Sequence, residues 1–154
     1  WLAARCRFVL STCTGLDEVS RVFCRAAVYV NFLPLVLVPS YSQAVSAPKR
    51  LFWRETGKEL TMDECIKNPF LDTLSYERAD IQIRDLESIE TLEVVIEGER
   101  RLRKKWQTDE QNVLDQSKFW CKLKEADPEG LSHGKIHKDS YISSCFLQRN
   151  PNWL

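Results

Sequence analysis

The chain has 154 residues, 44% of them hydrophobic, and its 22 Lys and Arg are balanced by 22 Asp and Glu. This length allows one domain, and zero net charge excludes the one-sided basic surface that neutralises nucleic-acid phosphates, so no nucleic-acid partner is expected. The charge is uneven along the chain: residues 1–48 hold four Arg, no Lys and only Asp17 and Glu18 as acids, against 18 basic and 20 acidic side chains in residues 49–154.

Residues 1–16, WLAARCRFVLSTCTGL, join Arg5 and Arg7 to hydroxyl residues without an acid, the composition of an organelle transit peptide's tail. Trp1 opens the sequence and Met62 is its sole methionine, so residue 1 reads as the start of a fragment or processed product. Thr14 is placed to cap a short helix whose positive end suits Asp17 and Glu18, with Val19, Val22, Phe23 and Ala26 on its apolar side.

No charge occurs from Ala26 to Pro48, between Arg25 and the pair Lys49 and Arg50. As a transmembrane helix, Ala26 to Ala47 exceeds the roughly 20 residues needed to cross a bilayer. Its Asn31, Gln43, serines and prolines would then require protein neighbours, with lipid around residues 26–47 and Lys49 and Arg50 on the positive side. As a secretory-type signal, the apolar run ends at Pro39 and offers Ser42 and Ala44 for cleavage after Ala44. The third reading is a buried strand pair, such as Val28 to Phe32 and Leu35 to Val38, in an ordinary core. The six cysteines fall three on each side of this segment without a C-x-x-C, and no disulfide framework is expected.

Beyond the segment, Leu51, Phe52 and Trp53 form an apolar patch that reads as a strand or arm. Thr61 and Glu64 make a capping box for a helix that stops at Asn68, before Pro69. From about Tyr76 to Trp106, one long helix is predicted, with Ile81, Leu86, Ile89, Leu92, Ile96, Leu102 and Trp106 recurring at three- and four-residue steps. Acids lead it and the Arg100 to Lys105 run trails, as the helix dipole favours; that run reads as a solvated face. Gly98 costs about 1 kcal/mol inside a helix and calls for close packing or a bend. The competing pattern makes Ile81 to Ile83 and Leu92 to Ile96 strands. Thr108 to Gln111 reads as a second capping box, opening a helix through Val113, Leu114, Trp120 and Leu123 to about Ala126, and Asp127 to Gly130 forms a turn. Two antiparallel helices follow.

Chemistry is sparse. His133 and His137 lie four apart with Cys121 and Cys145 on flanking segments, a ligand set zinc accepts, though structural zinc sites usually show close Cys pairs. Asp127, Glu129 and Gly130 outline an EF-hand whose closing carboxylate is missing, Ser140 standing near its place. No nucleophile elbow, phosphate loop or H-E-x-x-H occurs, and the adjacent acids Asp63 with Glu64 and Asp109 with Glu110 suit helix caps. The chain therefore reads as non-enzymatic and without a cofactor. Trp53, Trp106, Trp120 and Trp153 suggest contact with other proteins, as does a tail that leaves its helix at Pro151 and ends in Trp153 and Leu154.

These readings combine into a mainly α protein: a transit-like or amphipathic lead over 1–25, an apolar membrane-directed segment over 26–48, and a charged helical body, a hairpin or irregular bundle, over 49–154. The expected role is a small accessory or scaffold subunit of a membrane protein complex, mitochondrial inner or plastid. One alternative is an exported helical binding protein, secreted or luminal. Another is a metal- or calcium-binding module built on residues 121–145.

Overall fold

In the computed structural model, which describes residues 1–154, the uncharged segment 26–48 lies in the middle of a β-sheet. Four parallel strands run in the spatial order β1 (Phe8–Ser11), β2 (Ala26–Phe32), β3 (Ala44–Pro48), β6 (Ser140–Ile142). Strands β4 (Arg50–Trp53) and β5 (Ile81–Arg84) make a separate antiparallel pair, with Leu51 opposite Ile83 and Trp53 opposite Ile81. Helices α1 (Leu2–Arg5), α2 (Asp17–Val22), α3 (Met62–Lys67), α4 (Thr73–Arg78), α5 (Ser88–Leu102), α6 (Glu110–Glu125) and α7 (Ser144–Arg149) complete the chain. The fold is thus α/β, which corrects the expected mainly α body.

The physical reason for the misreading lies in β2 and β3. A parallel strand covered on both faces is a near-continuous apolar run, and AAVYVNF is buried except at Asn31 while AVSAP is buried throughout. Only a short 3-10 turn, Leu35–Leu37, lies between them in regular form. No helix is long and apolar enough to cross a membrane. The single-pass anchor, its lipid surround and the organellar-membrane location are therefore overturned. Cleavage after Ala44 would cut at the first residue of β3, itself only 2% exposed, and detach β1 and β2 from the sheet.

Side chains alternate across the sheet. Val28 pairs in register with Val45, and Val45 with Tyr141; this row faces α5, where a Cβ added to Gly98 would lie 2.5 Å from Val28 Cγ2. Close packing is thus what Gly98 serves. Tyr29, on the opposite face, points toward Asp17 and Arg21 of α2, and burial pushes its phenol pKa up. α2 is the crossover from β1 to β2, and the β3 to β6 crossover carries α5 and α6.

The single long helix expected over 76–106 is broken. α4 ends at Arg78, Asp80 adopts a left-handed φ of 58°, and the chain enters β5 before α5 starts after Glu87. Pairing of Ile81–Arg84 with β4 outweighs local helical periodicity, because the ladder satisfies backbone groups that would otherwise be orphaned. The expected helical hairpin is also absent as a packing unit: α5 packs mainly on β2, β3 and α7. The Thr61 and Glu64 capping box is present, whereas α6 is capped by Asp109, whose side chain accepts from Asn112 N. The tail docks on its own body. Trp153 is buried, stacks on Phe119 and meets Phe146 edge-on, and its carbonyl accepts from Met62 N at 2.7 Å.

All six cysteines are free. Burial pushes the Cys65 and Cys145 thiols up to about 12, Cys145 also feeling the Glu97 charge, while Cys13, Cys24 and Cys121 are exposed. Since the thiolate is the reactive form, such a shift from about 8.5 lowers reactivity by roughly three orders of magnitude. Iodoacetamide at neutral pH should therefore modify Cys24 and Cys121 in the native protein and spare Cys65 and Cys145 until it unfolds. Peptide mass mapping reads this directly; early alkylation of Cys65 would contradict the buried placement of α3.

Candidate functional site

α5 is packed inside out. Its inward side carries two acids, Glu90 and Glu97, with Val94 and Gly98, while Ile89, Leu92 and Ile96 are 46%, 51% and 39% exposed. At 3.6 residues per turn, positions 89, 92 and 96 form one stripe, on the side away from the sheet.

The inward acids are held by local partners. Glu90 completes a capping box, accepting from Glu87 N at 2.7 Å, and lies 3.9 Å from the Arg50 guanidinium. Glu97 is fully buried. Its Oε1 accepts from Arg101 at 2.8 Å and from Ser144 N at 3.1 Å, and its Oε2 from Ser143 Oγ at 2.7 Å and Cys145 N at 3.1 Å. The carboxylate thereby ties the first turn of α7 to the middle of α5.

Beside Ile96, a hollow of about 480 Å³ opens between α5 and α7. The Glu93–Arg149 ion pair, at 2.5 Å, bridges the two helices along it, and Trp106 lines the hollow. The Trp106 ring lies under the Arg101 guanidinium at 5.0 Å, and its Nε1 is buried without an acceptor. Arg100 stands exposed at the end of the stripe without an ion pair, whereas Arg103 pairs with Glu99. Apolar stripe, hollow and unpaired cation are contiguous along one helix.

The metal candidates are placed differently. His133 is buried, its Nε2 donating to the Val36 carbonyl at 2.8 Å and its Nδ1 lying 3.1 Å from Ser40 Oγ. His137 Nδ1 accepts from Asp139 N at 3.1 Å. Cys121 is exposed on α6 and Cys145 sits at the start of α7. No group of three or more His, Cys, Asp and Glu is arranged to hold a metal ion. The Asp127 carboxylate accepts from Leu131, Ser132 and His133 backbone N–H groups. These bonds, that from His133 first, hold its pKa below the usual range and organise its own loop.

Of the four tryptophans singled out for contact, Trp153 is in the core, Trp120 packs edge-on to Phe119, and Trp53 donates from Nε1 to Glu64 at 3.2 Å. Trp106 alone of them lines the α5 hollow.

Ligands of open parallel sheets bind outside the carboxyl ends of the strands. Here that edge has a crevice of about 360 Å³. Its charged groups and its one amide are committed: Lys49 pairs with Asp85 at 2.6 Å, Asn31 Oδ1 accepts from Leu86 N at 2.7 Å, and Asp72 caps α4. In the turn between β1 and α2, the Asp17 carboxylate accepts from Ser11 Oγ and Gly15 N, filling the place where a βα turn receives phosphate. No protein-family model matches this chain, and no curated protein or solved structure matches it.

Periodicity assigned Ile89, Leu92 and Ile96 to the packed side of a long helix. The signal for the true packed side is the four-residue step from Val94 to Gly98, since a small residue in a helix marks close backbone approach.

Proposed function

We propose that the protein is a non-enzymatic scaffold or assembly module that joins protein chains through the outer face of α5. One observation carries this reading: a helix whose apolar stripe faces water while two acids face its core. Contiguous exposed apolar patches rimmed by polar residues mark protein contact sites, and Ile89, Leu92 and Ile96 form an exposed stripe whose Ile96 end borders a hollow able to receive a side chain. The non-enzymatic part is supported by the use of the polar groups, since Glu97, Asp127 and His133 all hold backbone or neighbouring side chains.

The test is the native size of the protein in extracts of cells that make it, read by gradient sedimentation. Wild type should travel in a species larger than its 18.0 kDa chain, and Leu92→Glu, a change at a half-exposed position, should release it as monomer. Identical sedimentation of both proteins would overturn the proposal.

A further inference from the structure

We infer that a cleft at the amino ends of β2, β3 and β6 binds a free amino acid with an apolar side chain. The cleft lies on the inner side of α5, so the inference goes beyond the docking reading and does not depend on the outer stripe.

The space follows from small residues. A cleft of about 360 Å³ opens where the last turns of α5 lie over the start of the sheet, at the small end of the roughly 300–1,000 Å³ usual for ligand sites. Its floor is the α5-facing side of the sheet, with Ala26, Val28 and Val45 all buried. Ala26 contributes one methyl and Gly98 of α5 no side chain, so helix and sheet do not fill the space between them. Trp106 and Tyr141 supply aromatic walls.

The charged groups of this cleft are not all committed, unlike those at the carboxyl edge of the sheet. Arg101 lines it with a side chain only 9% exposed, its guanidinium over the Trp106 and Tyr141 rings at 5.0 and 4.1 Å. Its Nε and Nη2 serve Glu97 and Ser144, and Nη1 makes no hydrogen bond within the protein. Lys104, which ends α5 with a left-handed φ of 57°, lines the same cleft and joins no ion pair. Asp139, just ahead of β6, lines it from the strand side and meets no cation either. Its carboxylate stands near the Tyr141 hydroxyl, whose pKa is pushed up by burial first and then by this charge.

Two cations from the helix end and one carboxylate from the sheet end thus line an apolar cleft without pairing across it. An anion alone would meet Asp139 as a like charge, and an amine alone would meet Lys104 and Arg101 in the same way. A zwitterion answers both. Arg101 Nη1 and Lys104 donate to its carboxylate, Asp139 accepts from its ammonium, all of these being charge-assisted bonds, and the floor covers its apolar side chain.

Isothermal titration of the full chain with L-leucine and L-phenylalanine tests this. For ligands of about ten non-hydrogen atoms, dissociation constants of about 10 μM to 1 mM are expected. 4-Methylpentanoate, which is leucine without its amine, and 3-methylbutylamine, which is leucine without its carboxylate, should each bind about tenfold more weakly. Asp139→Asn should weaken leucine about tenfold without weakening 4-methylpentanoate, and Lys104→Gln should weaken leucine about fivefold, as loss of an exposed charge implies. Both positions edge the cleft, so the circular dichroism spectrum should not change.

Absence of binding by both amino acids at about 5 mM, several times the weakest expected constant, overturns the inference. Binding of 4-methylpentanoate as tight as that of leucine removes the pairing of ammonium with Asp139 and overturns the ligand class. Leucine binding that neither substitution weakens lies elsewhere and overturns the site. The sedimentation of Leu92→Glu in cell extracts is independent of all these results, so the docking reading stands or falls by itself.

Discussion

Glu97→Ala should remove about 3–5 kcal/mol of unfolding free energy, a large share of the 5–15 kcal/mol typical of a folded domain. The substitution deletes more than an ion pair. Arg101, with its side chain 9% exposed, loses its carboxylate, and Ser143 Oγ, Ser144 N and Cys145 N lose their acceptor in the interior. Each buried donor left without a partner costs about 1–3 kcal/mol. Glu97→Gln keeps one carbonyl oxygen but aims an amide NH2 at donors, so it should recover less than half of the loss. Arg101→Ala alone should cost less than Glu97→Ala, because three donors still hold the carboxylate. Urea unfolding followed by circular dichroism measures all three. A loss below about 1 kcal/mol for Glu97→Ala, the size of an exposed pair, would show that the carboxylate is not buried as described.

The same residue explains why α5 can be inverted. Burying two acids would be unfavourable unless each met fixed donors, and Glu90 and Glu97 meet them at the helix's own first turn and at the first turn of α7. The apolar residues therefore need not face the core, and three of them remain for a partner.

How far the sequence discloses this structure depends on whether a signal is local. The Thr61 and Glu64 box, the end of α6 before Asp127 and the close packing at Gly98 are local, and the structure contains them. Strand β2 is not: its lack of charge reports burial on two faces, which a lipid environment would require equally, and only the pairing of Val28 with Val45 distinguishes the two. Ile81 to Arg84 fits a helix by spacing and a strand by composition, and the choice is made by β4, about thirty residues earlier in the chain. The inward placement of Glu97 was illegible because, apart from Arg101, the donors that hold it are residues 143–145, far away in sequence. His133 and His137 sit near one another in sequence, but the loop turns their nitrogens to different neighbours.

Gly98→Ala tests the contact on which the placement of α5 depends. In an unconstrained helix interior, this change stabilises by about 1 kcal/mol. Here the new methyl would lie 2.5 Å from Val28 Cγ2, about 1 Å inside ordinary contact. Val28 is buried in a central strand and restricted at χ1, so the helix must lift from the sheet or the valine must leave its rotamer. Overpacking of this kind costs about 1–3 kcal/mol, and lifting α5 also loosens Val94 and the Glu97 network beside it. The net expected result is a loss of about 1–2 kcal/mol. Val28→Ala alone removes buried methyls and should cost about 2 kcal/mol, yet it vacates the space that the methyl introduced by Gly98→Ala needs. The double variant should be more stable than the sum of the singles predicts, by about 1–2 kcal/mol, a coupling of the size expected for residues in direct contact. Strict additivity would mean that α5 does not rest on β2 through these two residues. Stabilisation by Gly98→Ala alone would mean that helix propensity governs position 98 and that the sheet does not touch it.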